Sequence, residues 1–192
     1  MAGVRAFVAV PLPEALRARL ALEIDRLRGV APDVAWVAES NLHVTLKFLG
    51  QVDEARIPGI GAALAAVARR TPAFDLDVRG LGAFPTPTRA RVLWVGLTPA
   101  SPLAALAADI DARLAALGVE RDSRPFAAHV TLGRVRESRR NPALADALAR
   151  PADCGRLTVT RVSLMRSQLH PRGARYTELA CLLLAGAASP VE

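Results

Sequence analysis

Apolar positions along the chain switch between dense short runs and a spacing of three to four, and the switches mark the elements. Residues 4–10 form a run rich in Val and Phe that reads as a buried strand. Pro11-Leu12-Pro13-Glu14 follows as a helix-start signal. Leu16, Leu20, Ile24 and Leu27 then recur at helical spacing to about Arg28. Residues 34–37 are a short extended piece, and 41–49 form a strand ending at Gly50. A second helix over 53–70 carries Ile57, Ile60, Leu64 and Val67 on one face, with Pro58 near the start of its regular part.

Residues 74–81 and 91–97 read as strands around a Pro-rich loop. Ser101-Pro102 opens a third helix with Leu103, Leu106, Ile110, Leu114 and Leu117 inward, closed by Gly118. Residues 127–135 form a strand, and Asn141-Pro142 caps a fourth, short helix. Residues 157–166 and 175–184 pair as terminal strands joined by His170-Pro171-Arg172-Gly173. Residues 1–186 make one domain, and 187–192 a flexible tail. Strands and helices mix without a βαβ rhythm, which predicts an α+β fold with mainly antiparallel sheets.

Two of the strands carry the same four residues: His43-Val44-Thr45-Leu46 and His129-Val130-Thr131-Leu132. The chain has 3 histidines, so this repeat takes two of them. On a strand, residues two apart share a face. His43 and Thr45 therefore point together, as do His129 and Thr131, while the Val and Leu between them point into a core. The repeat predicts two similar lobes facing each other across a cleft, with helices on the outer faces.

Two imidazoles and two hydroxyls in one groove suit in-line displacement at phosphorus. One histidine takes a proton from the nucleophile, and the other gives one to the leaving oxygen. The threonine hydroxyls bond the non-bridging oxygens. A strained cyclic phosphodiester is the clearest substrate. No metal or other cofactor is needed, and no third ligand has a suggestive spacing. The two halves look alike, so the residues alone do not say which histidine is acid and which is base. His170, in a turn beside Pro171, reads as solvent-facing.

Composition adds direction. Net charge is +7, which favours polyanions, although the arginines are scattered. The 25 basic residues include a single lysine, Lys47, two positions beyond Thr45, which hints at a local requirement. The two cysteines, Cys154 and Cys181, lack metal-type spacing and read as reduced thiols of a cytoplasmic protein. No run of 18 apolar residues occurs, so no membrane partner is expected. A non-catalytic RNA- or phosphate-binding module remains the rival reading, as does a cyclic phosphodiesterase acting on a small nucleotide.

At these residues the chain resembles the two-histidine phosphoesterases, and within them the RNA 2′,3′-cyclic phosphodiesterases, also called the 2′-5′ RNA ligase family. The likeness extends over Val4 to Leu12, Asn41 to Gly50, Arg91 to Gly96, His129 to Arg134 and Leu164 to Ser167. It implies two lobes related by a pseudo-twofold, and hydrolysis of a terminal RNA 2′,3′-cyclic phosphate to a 2′-phosphate. It also implies ATP-independent 2′-5′ joining of RNA ends. Its partners would be RNA 3′ ends or nucleotide 2′,3′-cyclic phosphates; separately, a monomer is expected.

The resemblance makes His43 the proton donor and His129 the proton acceptor, with Thr45, Thr131 and Arg134 at the phosphate. Relatives often carry Pro just before the second histidine, where this chain has Ala127-Ala128. Strict alternation turns Arg134 away from the His129 face, so either that strand bulges or Arg134 is a surface charge. Trp36 and Tyr176 are open candidates to stack on a base, whereas Phe48 alternates with Val44 and Leu46 and reads as core.

Overall fold

In the computed structural model, which describes residues 3–137, 140–171 and 173–187, the two copies of the repeated signature open two neighbouring strands. β3 (His43–Asp53) and β6 (His129–Val135) meet antiparallel with Val44 opposite Val130. The sheet grows outward from this junction. On one side lie β1 (Gly3–Pro11), β8 (Arg161–Gln168) and β9 (Arg175–Leu183). On the other lie β5 (Val92–Thr98), β4 (Phe74–Phe84) and β7 (Asp153–Val159). The order β7-β4-β5-β6-β3-β1-β8-β9 is symmetric about its centre, and the short β2 (Val34–Trp36) pairs with the part of β6 that β3 leaves. The fold is α+β, with two lobes related by a pseudo-twofold through the Val44–Val130 junction.

Four helices cover one face: α1 (Glu14–Arg28), α2 (Ile57–Ala68), α3 (Ser101–Ala115) and α4 (Pro142–Ala149). α2 and α3 pack on each other and on β3, β8 and β9, while α1 lies on β7 and α4 on β4. The predicted stripe of α1 is buried in full at Leu16, Leu20, Ile24 and Leu27, each side chain contributing about 1.5–3 kcal/mol. Asn141 caps α4, its Oδ1 accepting from the Leu144 amide at 3.0 Å. One cluster of buried apolar residues runs through both lobes. No helix among the described residues is long and apolar enough to cross a membrane.

The structure corrects three expectations. Residues 157–166 are not one strand: β7 ends at Val159 on the edge of one lobe, and β8 starts at Arg161 beside β1 in the other. Both pieces are apolar on one face, so periodicity carries no mark of the crossover between them. Gly50 does not end β3, because it stays in the ladder opposite Ala6.

The third correction is Phe48, which is 61% exposed, while its neighbour Lys47 is only 2% exposed. A bulge causes the switch. Thr45 pairs with Ala9 and Lys47 with Val8, so Leu46 is left between them and the faces exchange. β6 does the same, with Thr131 opposite Trp94 and Gly133 opposite Leu93. Beyond Ala187, the expected tail lies outside the described residues.

Candidate active site

The face turned away from the helices carries both polar pairs. Val44, Leu46, Val130 and Leu132 are buried in the core, leaving His43, Thr45, His129 and Thr131 half-buried on the opposite side. Extending the Val44–Val130 register by one residue each way sets His43 across from Thr131 and Thr45 across from His129. The imidazoles thus lie on a diagonal, each facing a hydroxyl-bearing residue of the other lobe.

Both rings are held in the same way. Nδ1–H of His43 donates to the Asn41 carbonyl at 2.7 Å, and Nδ1–H of His129 to the Ala127 carbonyl at 2.7 Å. A carbonyl only accepts, so Nδ1 keeps its proton in either charge state. Nε2 is left as the atom that gains and loses one, and in His43 it lies 3.0 Å from Thr45 Oγ1. Burial is the main cause that holds both histidines below the ordinary value of 6.5. The carbonyl bonds oppose it. Repulsion adds to it, from His129 at His43 and from Arg134 at His129. Because the imidazoles repel each other, the pair favours holding one proton over two.

Aromatic walls fix the rings from the side. Phe7 and Tyr176 lie 5.0 and 5.3 Å from the His43 ring, the second edge-on. Phe84 stands edge-on to His129 at 5.3 Å, and Trp94 lies at 6.5 Å. The Trp94 indole covers Gly82 so closely that an added Cβ would overlap its ring atoms. Sequence reasoning missed Phe7, Phe84 and Trp94 as site neighbours. Alternation in β1 and β5 could have put them on a face, but nothing local says which strands flank the histidines.

The bulge in β6 sets the side on which Arg134, an exposed residue, emerges. Past Leu132 the side chains change faces, and the Arg134 charge reaches His129. Gly133 occupies the place that Lys47 has in β3, and a Cβ there would meet Val34 of β2 at 2.5 Å. Lys47 itself points into the core. Its ammonium donates to Asp111 Oδ1 on α3 at 2.5 Å and to the Glu120 carbonyl at 2.9 Å, with Asp122 at 3.4 Å. Burial pushes the Asp111 carboxyl up, but Lys47 and the Asp122 amide outweigh it and hold the group below its ordinary range. The lone lysine therefore ties the first signature strand to α3 and to the segment leading into the second. His170 is exposed.

A groove of about 890 Å³ opens beside His43. Its walls are the chain leading into β3, the start of α1 and the turn between β8 and β9. Asn41 closes one end, its Nδ2 donating to the Ala174 carbonyl at 2.7 Å. Trp36 and Tyr176, the two open candidates, both line it, as do Arg17 and Arg175, and no described Asp or Glu does. His129 lies outside its walls. Among the described residues, no group of three or more His, Cys, Asp or Glu is placed to hold a metal ion.

The profile of the 2′-5′ RNA ligase superfamily matches residues 12–171. The chain is 35% identical to the RNA 2′,3′-cyclic phosphodiesterase of Methanothermobacter thermautotrophicus, over 92% of this chain and 96% of that one. It is 36% identical to the enzyme of the same name from Archaeoglobus fulgidus, over 91% and 97%. The fold is similar to a crystal structure from Thermus thermophilus, at a TM-score of 0.80 and 30% identity, covering 96% of this chain and 100% of that one. It is also similar to E. coli LigT complexed with 3′-AMP, at a TM-score of 0.79 and 28% identity, covering 95% and 99%.

Proposed function

The chain belongs to the 2′-5′ RNA ligase superfamily, and from that membership and the geometry of its cleft we infer how it works. It is a cyclic phosphodiesterase, and its substrate is the 2′,3′-cyclic phosphate at an RNA end. The observation that carries this reading is the pair of Nδ1-anchored imidazoles on one face of the β3–β6 junction, each across from a threonine of the other lobe.

Water attacks phosphorus from the His129 side, and His129 Nε2 takes its proton. The bond from phosphorus to O3′ breaks, and His43 Nε2 gives its proton to that oxygen. The product is a 2′-phosphate with a free 3′ hydroxyl. Thr45 and Thr131 donate to the non-bridging oxygens, and Arg134 offsets the charge that builds there. Acid and base each supply about 10²–10⁴-fold.

The groove supports this division of labour. In an in-line displacement the attacking and departing oxygens lie on opposite sides of phosphorus, and the ribose stays with the departing one. The groove gives room for a nucleoside beside His43, and His129 is not among its walls. This supports His43 as the acid and His129 as the base. Both depressed histidines regain affinity for a proton when an anionic phosphodiester binds between them, which readies His43 to donate. With a 5′ hydroxyl in place of water, the same steps join two RNA ends through a 2′-5′ linkage. The described residues of the two-lobed unit supply every group named, which supports a chain that works as a monomer.

The test is incubation with an oligoribonucleotide ending in a 2′,3′-cyclic phosphate, in excess chelator. A 2′-phosphate product is expected, lost in His43→Ala and His129→Ala while the far-UV spectrum stays the same. A 3′-phosphate product, or full turnover in either alanine variant, defeats the reading.

A further inference from the structure

We propose that the groove beside His43 holds the RNA strand upstream of the reacting end, making an oligoribonucleotide, not a mononucleotide, the preferred substrate. The inference deepens the cyclic phosphodiesterase reading and rests on it. The terminal ribose lies on the His43 side of phosphorus, and its 5′ oxygen continues the chain away from His129. That path leads into the groove.

The walls suit a nucleic-acid strand. Arg17 and Arg175 line the groove, and neither forms an ion pair with a described residue. Arg17 Nη1 donates to the Leu12 carbonyl at 3.0 Å, but its Nε is buried and has no partner. The rest of the guanidinium carries the charge into the groove wall, where a phosphate oxygen would be drawn to it. Arg17 also stands in the first turn of α1, where the helix dipole favours an anion. Trp36 and Tyr176 give two aromatic surfaces for bases. No described Asp or Glu lines the groove, and the carboxylate behind it, Glu178, accepts from Ser163 Oγ at 2.6 Å. At about 890 Å³ the space is near the upper end of ordinary small-ligand sites, which run from about 300 to 1,000 Å³.

The experiment compares kcat/KM on a nucleoside 2′,3′-cyclic phosphate and on a tetraribonucleotide with the same end, for the unaltered protein, R17Q, R175A and, as a remote control, R113Q. The unaltered protein should favour the tetranucleotide by about tenfold or more, mainly through KM. R17Q and R175A should each shrink that ratio severalfold, and R113Q should leave it unchanged.

Fluorescence anisotropy of a labelled tetranucleotide ending in a 2′-phosphate reports the groove without turnover. Each arginine variant should reduce the salt slope of binding by about 0.7. Equal rates on both substrates, or a preference untouched by both arginine variants, overturns the proposal and leaves the phosphodiesterase reading standing. Salt-dependent, arginine-dependent binding with no hydrolysis of either substrate would instead keep the groove and overturn the catalytic reading.

Discussion

Phe48 and Arg134 hold the same place in the two halves of the molecule. Each is the fifth residue after its histidine, and each is turned by a bulge onto its histidine's side of the sheet. Phe48 rests against Phe7 at 6.2 Å, and Phe7 against His43, whereas Arg134 acts on His129 through its charge. A nearly symmetric backbone thus presents an apolar ring at one end of the cleft and a cation at the other.

That asymmetry separates two variants. R134A should lower kcat/KM by about 10- to 100-fold, matching the roughly 1.5–3 kcal/mol of a charge-assisted bond to phosphate. R134K should recover only part, because it keeps the charge and loses the fork. F48A should cost less than R134A. Steady-state kinetics on a dinucleotide cyclic phosphate would check the order. An R134A variant as active as the unaltered protein would remove Arg134 from the phosphate site.

The depressed histidines predict where the pH profile sits. The productive state of the pair holds one proton, so kcat/KM should be bell-shaped and peak on the acid side of 6.5, with kcat peaking at higher pH once the anion is bound. R134Q removes one cause of the lowering at His129, so the acidic limb should move up. Stability follows the same shift. The folded chain resists taking protons that the unfolded chain accepts below 6.5. The melting temperature should therefore hold above that value and fall as pH drops toward the folded values, less steeply in H43Q and H129Q. A flat melting curve from about pH 7 to 5 would contradict the burial argument.

Lys47 should matter for the fold and only indirectly for the reaction. Removing it leaves the Glu120 carbonyl without its donor and Asp111 with the Asp122 amide but no cation bonded to it, so K47M should cost about 3 kcal/mol in denaturant unfolding. The double variant K47M/D111L replaces the pair by apolar contact and should recover most of the loss. If K47M alone is neutral, the pair is not what fixes the β3 bulge to α3.

Gly82 should tolerate no side chain. Its φ is ordinary, so the obstacle is space, because an added Cβ would overlap the indole of Trp94. G82A should push that ring toward His129, costing about 1–3 kcal/mol of stability and lowering kcat. A tryptophan fluorescence shift should accompany the kinetic loss.

Much of this protein is legible in its sequence. Helical spacing locates all four helices, because a helix shows its buried face in its own residues. Alternation puts each histidine on its threonine's face, and repetition shows that the two strands belong together. Whatever depends on a neighbouring strand is hidden there. The bulges at Leu46 and Leu132 arise from register against β1 and β5, so counting by twos sends Phe48 inward and leaves Arg134 undecided. The strand predicted over 157–166 divides at Thr160 because its halves pair with β4 and β1 in opposite lobes.

The sequence by itself determined which imidazoles and hydroxyls share a face, because that depends on residue type and on a spacing of two. Only the tertiary structure decided how they differ. It set a roomy groove with two arginines in its walls against His43, a guanidinium's charge against His129 and the one lysine in the core. The physical reason is that identical tetrapeptides carry no information about what packs around them, and a proton's direction is set by those surroundings.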